Sequence, residues 1–429
     1  MATTIILVIF FIGYAAIALE HPIKLNKAAS ALITGVLCWT VYIISSSDAG
    51  KVNHELIEHL GEISGILFFL LGAMTVVELI DAHDGFEVIT NRIKTTNKSK
   101  LLWIICSLSF FLSPVLDNLT TAIVMVSLTR KIIHEKETRL LFCGMIVIAA
   151  NAGGAWSPIG DVTTTMLWIG GQITPIQIIA KVILPSIICL VVPLIILSAK
   201  IKGKLQQESI EETETIKTGA SEKDKTIVFI SGILILLMVP VFKTVTHLPP
   251  FMGMLLGLGI MWIITEIIHS GKDTQDKNFL SVMYALRKID TPSILFFLGI
   301  LISVAALQST GVLASVARGL DTQIGNETII VSIIGVLSSI VDNVPLVAAA
   351  MGMYTLEQYP PDHSFWQFLA YCAGTGGSIL IIGSAAGVAA MGIEKIEFFW
   401  YLKKISWLAL IGYVAGGLAF LMQGQLFGY

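Results

Sequence analysis

The chain has 429 residues, of which 55% are hydrophobic and only 13% charged, and its formal net charge is −3. A soluble protein of this length would carry about a quarter charged residues, so the composition excludes an ordinary soluble domain, and no nucleic-acid partner is expected. Apolar runs of about 18 to 22 residues recur, each long enough to cross a bilayer as a helix. The sequence therefore predicts an all-α polytopic membrane protein.

The apolar runs predict ten membrane-crossing segments. In chain order they lie at about 5–20, 28–46, 63–82, 139–169, 178–199, 226–243, 250–269, 291–309, 366–393 and 403–425. Two of them, 139–169 and 366–393, contain glycine or proline clusters that break the helical ladder, so we predict broken helices there. Five cysteines lie in or beside apolar runs without metal-binding spacing, and we expect them to be buried and unpaired.

Two further apolar stretches, at about 101–130 and 326–356, do not fit the crossing rule. Each has about 30 residues, too many for one straight crossing and too few for two. Each also carries a polar break near its centre, SPVLDN in the first and SSIVDN in the second. We interpret both as re-entrant hairpins, because non-helical backbone at membrane depth must be buried in protein or line a wet cavity.

The placement of lysine and arginine supports this topology. With both stretches re-entrant, 23 of the 27 basic residues, Lys27 among them, fall on one side of the membrane. The other side receives Lys51, Lys181, Lys243 and Arg318. The positive-inside rule makes the rich side cytoplasmic. Both termini are then expected outside, the first hairpin enters from the cytoplasm and the second enters from outside.

The sequence also contains an internal repeat. ILFFL at 66–70 returns at 294–298, and SPVLDN at 113–118 returns as SSIVDN at 338–343. Similar offsets indicate an old duplication. The predicted division is a first repeat at 1–200, a cytoplasmic linker at 201–225 and a second repeat at 226–429. Five crossings per repeat invert the second repeat in the membrane, an arrangement typical of secondary transporters with a site at the midplane.

Polar side chains concentrate at the predicted hairpin tips and helix breaks. The tips carry Asp117-Asn118 and Asp342-Asn343, and the first break carries Asp161. The other candidate cation- and proton-binding residues are Asn151, Ser113, Thr120, Ser157, Thr163, Thr164, Ser338, Thr375 and Ser378. Most offer oxygen atoms, which suit a hard cation that exchanges its water shell for protein ligands.

The predicted core contains three carboxylates and no lysine or arginine, since neither occurs at 101–129, at 140–180 or between Arg318 and Lys395. A charged carboxylate in a membrane is costly unless a proton or a cation compensates it. Proton and metal ion therefore compete for the same oxygens, and alternating exposure of such a site exchanges one for the other. No cofactor is expected.

Structural readings compete for some of these acids. Asp117 and Asp342 could simply close hairpin turns, and Asp161 could cap a helix because its counterpart in the repeat is Ser384. Glu78 and Asp81 are expected at the membrane interface. The eight histidines fall in predicted loops or helix ends, and we expect solvated surface positions for them.

At these residues the sequence resembles a NhaD-type sodium/proton antiporter of the ion transporter superfamily, which also holds sodium-coupled dicarboxylate carriers and arsenite permeases. The resemblance covers essentially the whole chain and is most specific at SPVLDNLTTAIVM, NAGGAWSPIGDVTTTMLWIGGQI and SSIVDNVPLVAAAM. It implies that Na+ or Li+, bound at the tips and at Asp161, leaves the cell as protons enter, with a role in pH homeostasis. It also implies a homodimer in the bacterial inner membrane and an elevator motion of the hairpins and broken helices.

Two alternatives to antiport are weighed at this stage. Dicarboxylate carriers have Ser-Asn-Thr at the tips, whereas aspartate-asparagine here favours a bare cation, so an anion carrier or arsenite permease of the same fold is the nearest alternative. An intramembrane aspartyl protease would use paired acids, but Ser-Pro-Ile-Gly-Asp departs from its Gly-x-Gly-Asp pattern, and we expect no enzyme. Gly374 stands where the first break has Asn151, so two equivalent ion sites are not assumed.

Overall fold

The computed structural model describes residues 2–18, 20–86, 95–201, 203–205, 221–270, 279–340 and 342–427. These residues are predominantly helical, and eight of their helices are long and apolar enough to cross a membrane. The prediction of an all-α polytopic membrane protein is confirmed. The five cysteines are buried and unpaired, as expected. Most of the predicted linker, including 206–220, lies outside the described residues.

The helices follow one another in this order: α1 Ala2–Ala18, α2 Glu20–Ile23, α3 Lys27–Ser45, α4 Ala49–Ala82, α5 Lys98–Leu116, α6 Asn118–Ile132, α7 Lys136–Gly154, α8 Val162–Ile169, α9 Pro175–Lys200, α10 Glu222–Thr246, α11 Pro250–Ile268, α12 Val282–Lys288, α13 Thr291–Ser309, α14 Val312–Gln323, α15 Glu327–Leu337, α16 Asn343–Met353, α17 Ser364–Gly376, α18 Ala385–Glu394, α19 Phe398–Lys404 and α20 Ser406–Phe427. Each predicted apolar segment coincides with one helix or with a pair of consecutive helices.

One helix is much longer than its apolar run. α4 begins at Ala49, although the sequence predicts a crossing only from about residue 63, and it spans 34 residues or roughly 51 Å. The polar segment at 51–62 continues the helix because Asp48 caps it, accepting a hydrogen bond from the backbone N–H of Lys51 at 3.0 Å. A hydropathy pattern therefore predicts only the apolar part of a helix, and it does not predict a polar extension such as residues 51–62.

The helices pack in two groups. In one group α3 lies against α1 and α13, while α11 lies against α4 and α10. In the other α5 packs on α7, α15 on α17 and α9 on α20. Small residues allow the closest approaches, as where the backbone of Ala31 in α3 would meet a Cβ built on Gly299 of α13 at 2.5 Å. Contacts of α4 with α8 and of α13 with α16 join the groups.

The two broken helices, α7–α8 and α17–α18, run in opposite directions beside each other. At one end Arg139 of α7 donates from Nε to Oε2 of Glu394 in α18 at 2.7 Å. At the other end, just after α8, Thr174 donates from its backbone N–H and Oγ1 to the carboxylate of Asp362, which precedes α17, at 2.7 and 2.8 Å. The antiparallel arrangement places the two breaks next to each other.

The segments predicted to reverse have their ends close together. Lys98, which begins α5, contacts Glu135, which follows α6. Similarly, the hydroxyl of Tyr354, just after α16, donates to Oδ1 of Asp321 in α14 at 3.2 Å. The outer ends of α5 and α6 are therefore close together, the end of α16 lies near α14, and Asp117 and Asp342 immediately precede α6 and α16.

Candidate functional site

The first tip is a sharp turn centred on one aspartate. Asp117 ends α5 and caps α6 with φ of +75°, a conformation that non-glycine residues rarely adopt. Its carboxylate accepts hydrogen bonds from the backbone N–H and the Oγ1 of Thr120 at 2.7 and 3.0 Å. Capping therefore occupies one face of the carboxylate, and the side chain is half-buried.

The second tip has the same order of residues and a different geometry. Between α15 and α16 the described chain forms a turn at 338–340, and Asp342 then caps α16 by accepting from the backbone N–H of Val344 at 3.4 Å. Its φ is −43°, within the ordinary range. The two tips thus share the aspartate cap but not the backbone turn that presents it.

Both tips converge on a single carboxylate. Asp161 caps α8 and is 1% exposed. Asn118 of the first tip donates to its Oδ2 at 2.5 Å, and Asn343 of the second tip donates to both oxygens at 3.3 Å. Thr163 adds its backbone N–H at 2.8 Å and its hydroxyl at 2.7 Å. Asp161 is therefore the centre of the candidate site.

The asparagine of the first broken helix connects the two breaks. Asn151 accepts from Nδ2 of Asn118 at 3.0 Å and donates through its own Nδ2 to Oγ of Ser378 at 2.9 Å and Oγ of Ser384 at 2.8 Å. All four side chains are buried. The sequence pointed to these residues as neighbours of the breaks, but it did not indicate that Asn151 itself bridges them.

The remaining predicted site hydroxyls donate to backbone carbonyls. Four of them hold one segment against another or close a local turn: Ser113 to Ala150 at 2.6 Å, Ser157 to Pro114 at 2.7 Å, Ser338 to Ala373 at 3.0 Å and Thr164 to Asp161 at 2.9 Å. Thr375 donates to Tyr371 within its own helix at 2.6 Å. A hydroxyl that donates still has lone pairs to offer, so these residues brace the site and keep acceptor capacity.

Matched glycines bring the tips against the broken helices. A Cβ on Gly153 of α7 would lie 2.4 Å from the carbonyl oxygen of Phe110, and a Cβ on Gly376 of α17 would lie 2.0 Å from that of Gly335. Both contacts join a broken helix to the helix that leads into a tip. Any side chain at either glycine would push the tip away from the break.

One expectation about charge is wrong. The carboxylates were expected to be free of fixed cations, but Nζ of Lys27 lies 3.6 Å from Oδ2 of Asp342. Lys27 lies between the predicted crossings at 5–20 and 28–46 and was therefore expected in a cytoplasmic loop, and it is more than 300 positions from Asp342 in the sequence. Only the packing of α3 near the second tip brings the two charges together.

The expectation about histidines is also wrong at two positions. His83 and His269 are 0% and 2% exposed, and their Nε2 atoms lie 2.7 Å apart. Each histidine follows a long apolar helix, α4 or α11, and those helices pack against each other. The sequence predicts that a polar residue at a helix end is solvated, because it does not show that a residue distant in the chain will cover it.

Cavities lie on both sides of the site. A cavity of about 410 Å³ is lined by acidic residues, by basic residues predicted to be cytoplasmic, and by the start of α6. The acids are Glu20, Glu78, Asp81 and Asp290, the basic residues are Lys27 and Lys288, and α6 contributes Thr120. A much smaller cavity of about 20 Å³ contacts Asp117 and Asp161 and shares Met74 and Val77 with the larger one. A third, of about 400 Å³, lies at the opposite end beside His59 and Gln308.

The oxygen atoms available for an ion come from different kinds of group. Among the described residues, no three His, Cys, Asp or Glu side chains gather in one metal-binding cluster. Asp117, Asp161 and Asp342 are instead spread around amides and hydroxyls, with Asp161 as the shared hydrogen-bond acceptor. These oxygens are of the kinds that hard cations prefer, and the described carboxylates are not arranged as a multi-carboxylate metal site.

A buried polar centre between interrupted helices, inside a bundle of membrane-crossing helices, defines a membrane transporter. Residues 5–369 match the model of a family described as citrate transporter, CitMHS. The chain belongs to this transporter family and is of the NhaD type, and its relatives are transporters, not enzymes. The resemblance seen in the sequence motifs is thereby confirmed.

Three relatives align with nearly the whole chain. Sodium/proton antiporter 1 of Arabidopsis thaliana is 50% identical over 97% of this chain and 72% of its own length. Sodium/proton antiporter 2 of the same plant is 48% identical over 96% and 98%. The Na+/H+ antiporter NhaD of Vibrio cholerae is 32% identical over 95% and 89%.

Proposed function

We propose that this protein is a secondary active antiporter that exchanges cytoplasmic Na+ for external H+ by alternating access. The names of the aligned relatives, from two plant antiporters to bacterial NhaD, support Na+/H+ exchange. The observation that carries the proposal is the convergence of both tip asparagines, Asn118 and Asn343, on the buried carboxylate of Asp161. A movement of either tip changes the environment of that carboxylate.

Competition at the aspartates supplies the exchange step. An ionised carboxylate inside the protein needs a cation, whereas a protonated carboxylate does not. Na+ bound by Asp161 or Asp117, with amide and hydroxyl oxygens completing its shell, therefore displaces the proton, and protonation releases Na+. Li+ has the same charge and hard-ligand preference, so we propose it as a second cargo. The other proposed site residues are Asn118, Asp342, Asn343, Asn151, Thr120, Thr163, Thr164, Ser113, Ser157, Ser338, Thr375 and Ser378.

We further propose that the chain consists of two inverted repeats, 1–200 and 226–429, each with one re-entrant hairpin. The matched contacts support this division: Ser113 donates to Ala150 as Ser338 donates to Ala373, in each case from the hairpin to the broken helix. The antiparallel broken helices support the inversion. Two contacts support the re-entrant paths of the hairpins at about 101–130 and 326–356. Lys98 contacts Glu135 at the outer ends of α5 and α6, and Tyr354 donates to Asp321, which lies just before the second hairpin.

The large acidic cavity is proposed as the cytoplasmic entrance. Four of its lining carboxylates, on Glu20, Glu78, Asp81 and Asp290, attract cations, and it reaches the start of α6 beside the first tip. Its basic residues belong to the side that the positive-inside rule makes cytoplasmic. In this orientation the termini face outward and the linker at 201–225 is cytoplasmic. The bacterial inner membrane is the proposed location.

The two packing groups suggest which part moves. We propose that α5–α9 and α15–α20 carry the ion as an elevator past a scaffold built from α1, α3, α4, α10, α11 and α13. The scaffold helices would then supply the contacts of a homodimer. The proposal follows from the family resemblance and from the packing of these helices as separate groups joined at α4–α8 and α13–α16.

A sodium-coupled anion carrier is the second candidate, because the matching family model is described as citrate transporter. The chemistry around Asp161 argues against it, since its described hydrogen-bond partners are amides, a hydroxyl and a backbone N–H and none is a lysine or arginine. A citrate trianion placed there would face a carboxylate. Labelled citrate uptake that rises with Na+ would favour this candidate over antiport.

The antiport proposal is tested in proteoliposomes with a preformed pH gradient and an interior pH dye. Addition of Na+ or Li+ should collapse the gradient with the wild-type chain, and Asp117→Asn and Asp342→Asn should abolish the response. Asp48→Asn is the matched control, because Asp48 also caps a helix but is exposed, and it should exchange normally. Wild-type-like exchange in both tip variants would refute the assigned roles.

A further inference from the structure

The second tip contains an ion pair that the first tip lacks. Among the candidate aspartates in the described part of the chain, only Asp342 has a basic side chain within 4 Å. We propose that Lys27 is a tethered competitor of Na+: its ammonium occupies the Asp342 carboxylate when the cation is absent, and it thereby sets the apparent affinity for Na+. This inference rests on the antiport function proposed above.

The geometry holds the ammonium in a defined position. Nζ of Lys27 lies 3.6 Å from Oδ2 of Asp342 and 4.5 Å from the centroid of the Phe296 ring, which is fully buried. The side chains of Lys27 and Asp342 are 22% and 15% exposed. A pair so sheltered is screened by salt less than a pair on the open surface. The aromatic face adds a second attraction for the cation.

The position of Lys27 in its helix favours the pair. Lys27 is the first residue of α3, capped by Asn26, and a positive charge is unfavourable at a helix N-terminus because the exposed N–H groups there are themselves positive. The carboxylate of Asp342 compensates for this placement. The backbone N–H of Lys27 is held separately, by Oε1 of Glu20 at 3.1 Å, so the side chain can move while the backbone stays in place.

Lys27 also lies in the cavity proposed above as the cytoplasmic entrance. It lines the 410 Å³ cavity together with Glu20, Glu78, Asp81 and Asp290. When a Na+ ion from this cavity takes the oxygens of Asp342, the flexible lysine stem allows the ammonium to turn back toward these acids. The exchange replaces one cation by another on the same carboxylate. Binding of Na+ at the second tip is therefore opposed by the strength of the lysine pair.

Three variants separate competition from bracing. Lys27→Gln removes the charge, Lys27→Arg keeps it, and Lys27→Met removes it while preserving apolar contact with Phe296. Lys24→Gln is the matched control, because Lys24 is exposed and precedes the same helix. The apparent KM for Na+ is measured in proteoliposomes. The Na+ concentration giving half-maximal thermal stabilisation is measured on purified protein in detergent, which requires no transport.

Both uncharged variants should lower the apparent KM and the half-maximal Na+ concentration by about two- to fivefold, as expected for loss of one partly sheltered ion pair. Lys27→Arg and Lys24→Gln should keep wild-type values. In an Asp342→Asn background, Lys27→Gln should leave the half-maximal Na+ concentration unchanged, because the contested carboxylate is gone.

An unchanged or higher KM in both uncharged variants would overturn the inference. A lower maximal rate with a wild-type KM would show that Lys27 only braces the tip, and the same shift in the Asp342→Asn background would place its effect elsewhere. Each of these results requires an active wild-type protein. A wild-type chain that moves no protons in response to Na+ would instead refute the proposed antiport function.

Discussion

The two broken helices share a backbone plan but differ in chemistry. α7 and α17 both carry a glycine, Gly153 or Gly376, against which a carbonyl from the preceding hairpin packs. The first break, however, carries the amide of Asn151 and the carboxylate of Asp161, whereas the second break carries the hydroxyls of Ser378 and Ser384. The two breaks therefore have similar packing surfaces, but the carboxylate lies at the first break alone of the two.

The two tips also share a sequence pattern but differ in geometry and in charged partners. Asp117 is held by Thr120, two positions beyond its neighbour Asn118, in a strained turn of positive φ. Asp342 has ordinary backbone geometry and a fixed cation, Lys27. The two halves have similar backbone breaks, but of the three candidate aspartates only Asp161, in the first half, is fully buried. We therefore expect the two halves to contribute different groups to the proposed site.

Among the residues of the two breaks, the largest effect is expected at Asp161, where the halves differ most. Asp161→Asn should reduce Na+/H+ exchange on the order of 100-fold, because an amide neither holds a cation with full charge nor takes up the proton, and loss of a charged partner costs about 3 kcal/mol. Initial rates of gradient collapse in proteoliposomes measure this.

The counterpart variant sharpens the comparison. Ser384→Ala removes the hydroxyl that accepts from Asn151 at 2.8 Å and, as the cap of α18, from the backbone N–H of Gly387 at 3.2 Å. Exchange should fall by no more than about fivefold, because only the neutral hydrogen bond to Asn151 connects this hydroxyl to the site, whereas loss of the cap lowers stability. If Ser384→Ala is as damaging as Asp161→Asn, the two breaks contribute equally and the asymmetry described above is wrong.

The two packing glycines, Gly153 and Gly376, should tolerate substitution equally poorly, although the polar side chains at the two breaks differ. Gly153→Ala and Gly376→Ala would each place a methyl group against a backbone carbonyl, and overpacking of this kind costs about 3 kcal/mol. Thermal unfolding in detergent should show similar losses for both variants.

Gly392 supplies the control for this pair. It lies in helix α18, and a Cβ added there would meet no atom within 4 Å, so Gly392→Ala should be neutral or stabilise the chain by about 0.5 to 1 kcal/mol. Strongly unequal losses at Gly153 and Gly376 would contradict equivalent packing in the two halves.

The smallest effects are expected at the two ends of the broken helices. Glu394 is 6% exposed and accepts from Arg139, so Glu394→Gln should lower the free energy of unfolding by about 2 kcal/mol. Asp362 is only half-buried and accepts from Thr174, so Asp362→Asn should cost less than about 1 kcal/mol. Thermal unfolding of the two variants tests the order, and a larger loss for Asp362→Asn would reverse it.

The sequence predicted the positions of the apolar helices and the interruptions well. Apolar length and glycine or proline clusters act locally, so the breaks after Asn151 and after Thr375 were located before any packing was known. It failed at Lys27 and His83, whose surroundings depend on partners about 190 to 315 residues away. The start of α4 was also missed, because an exposed helical extension carries no hydropathy signal.

What the sequence alone determined is the membrane class, the helix positions and the placement of acids at interruptions, since each depends on the chemistry of consecutive residues. Only the tertiary structure decided that Asn118 and Asn343 meet at Asp161, that Asn151 joins the two breaks and that Lys27 pairs with Asp342. The physical reason is that hydrogen bonds and ion pairs act over only a few ångströms. In this chain several of them join residues that lie in opposite halves of the sequence, so they form only after the helices have packed.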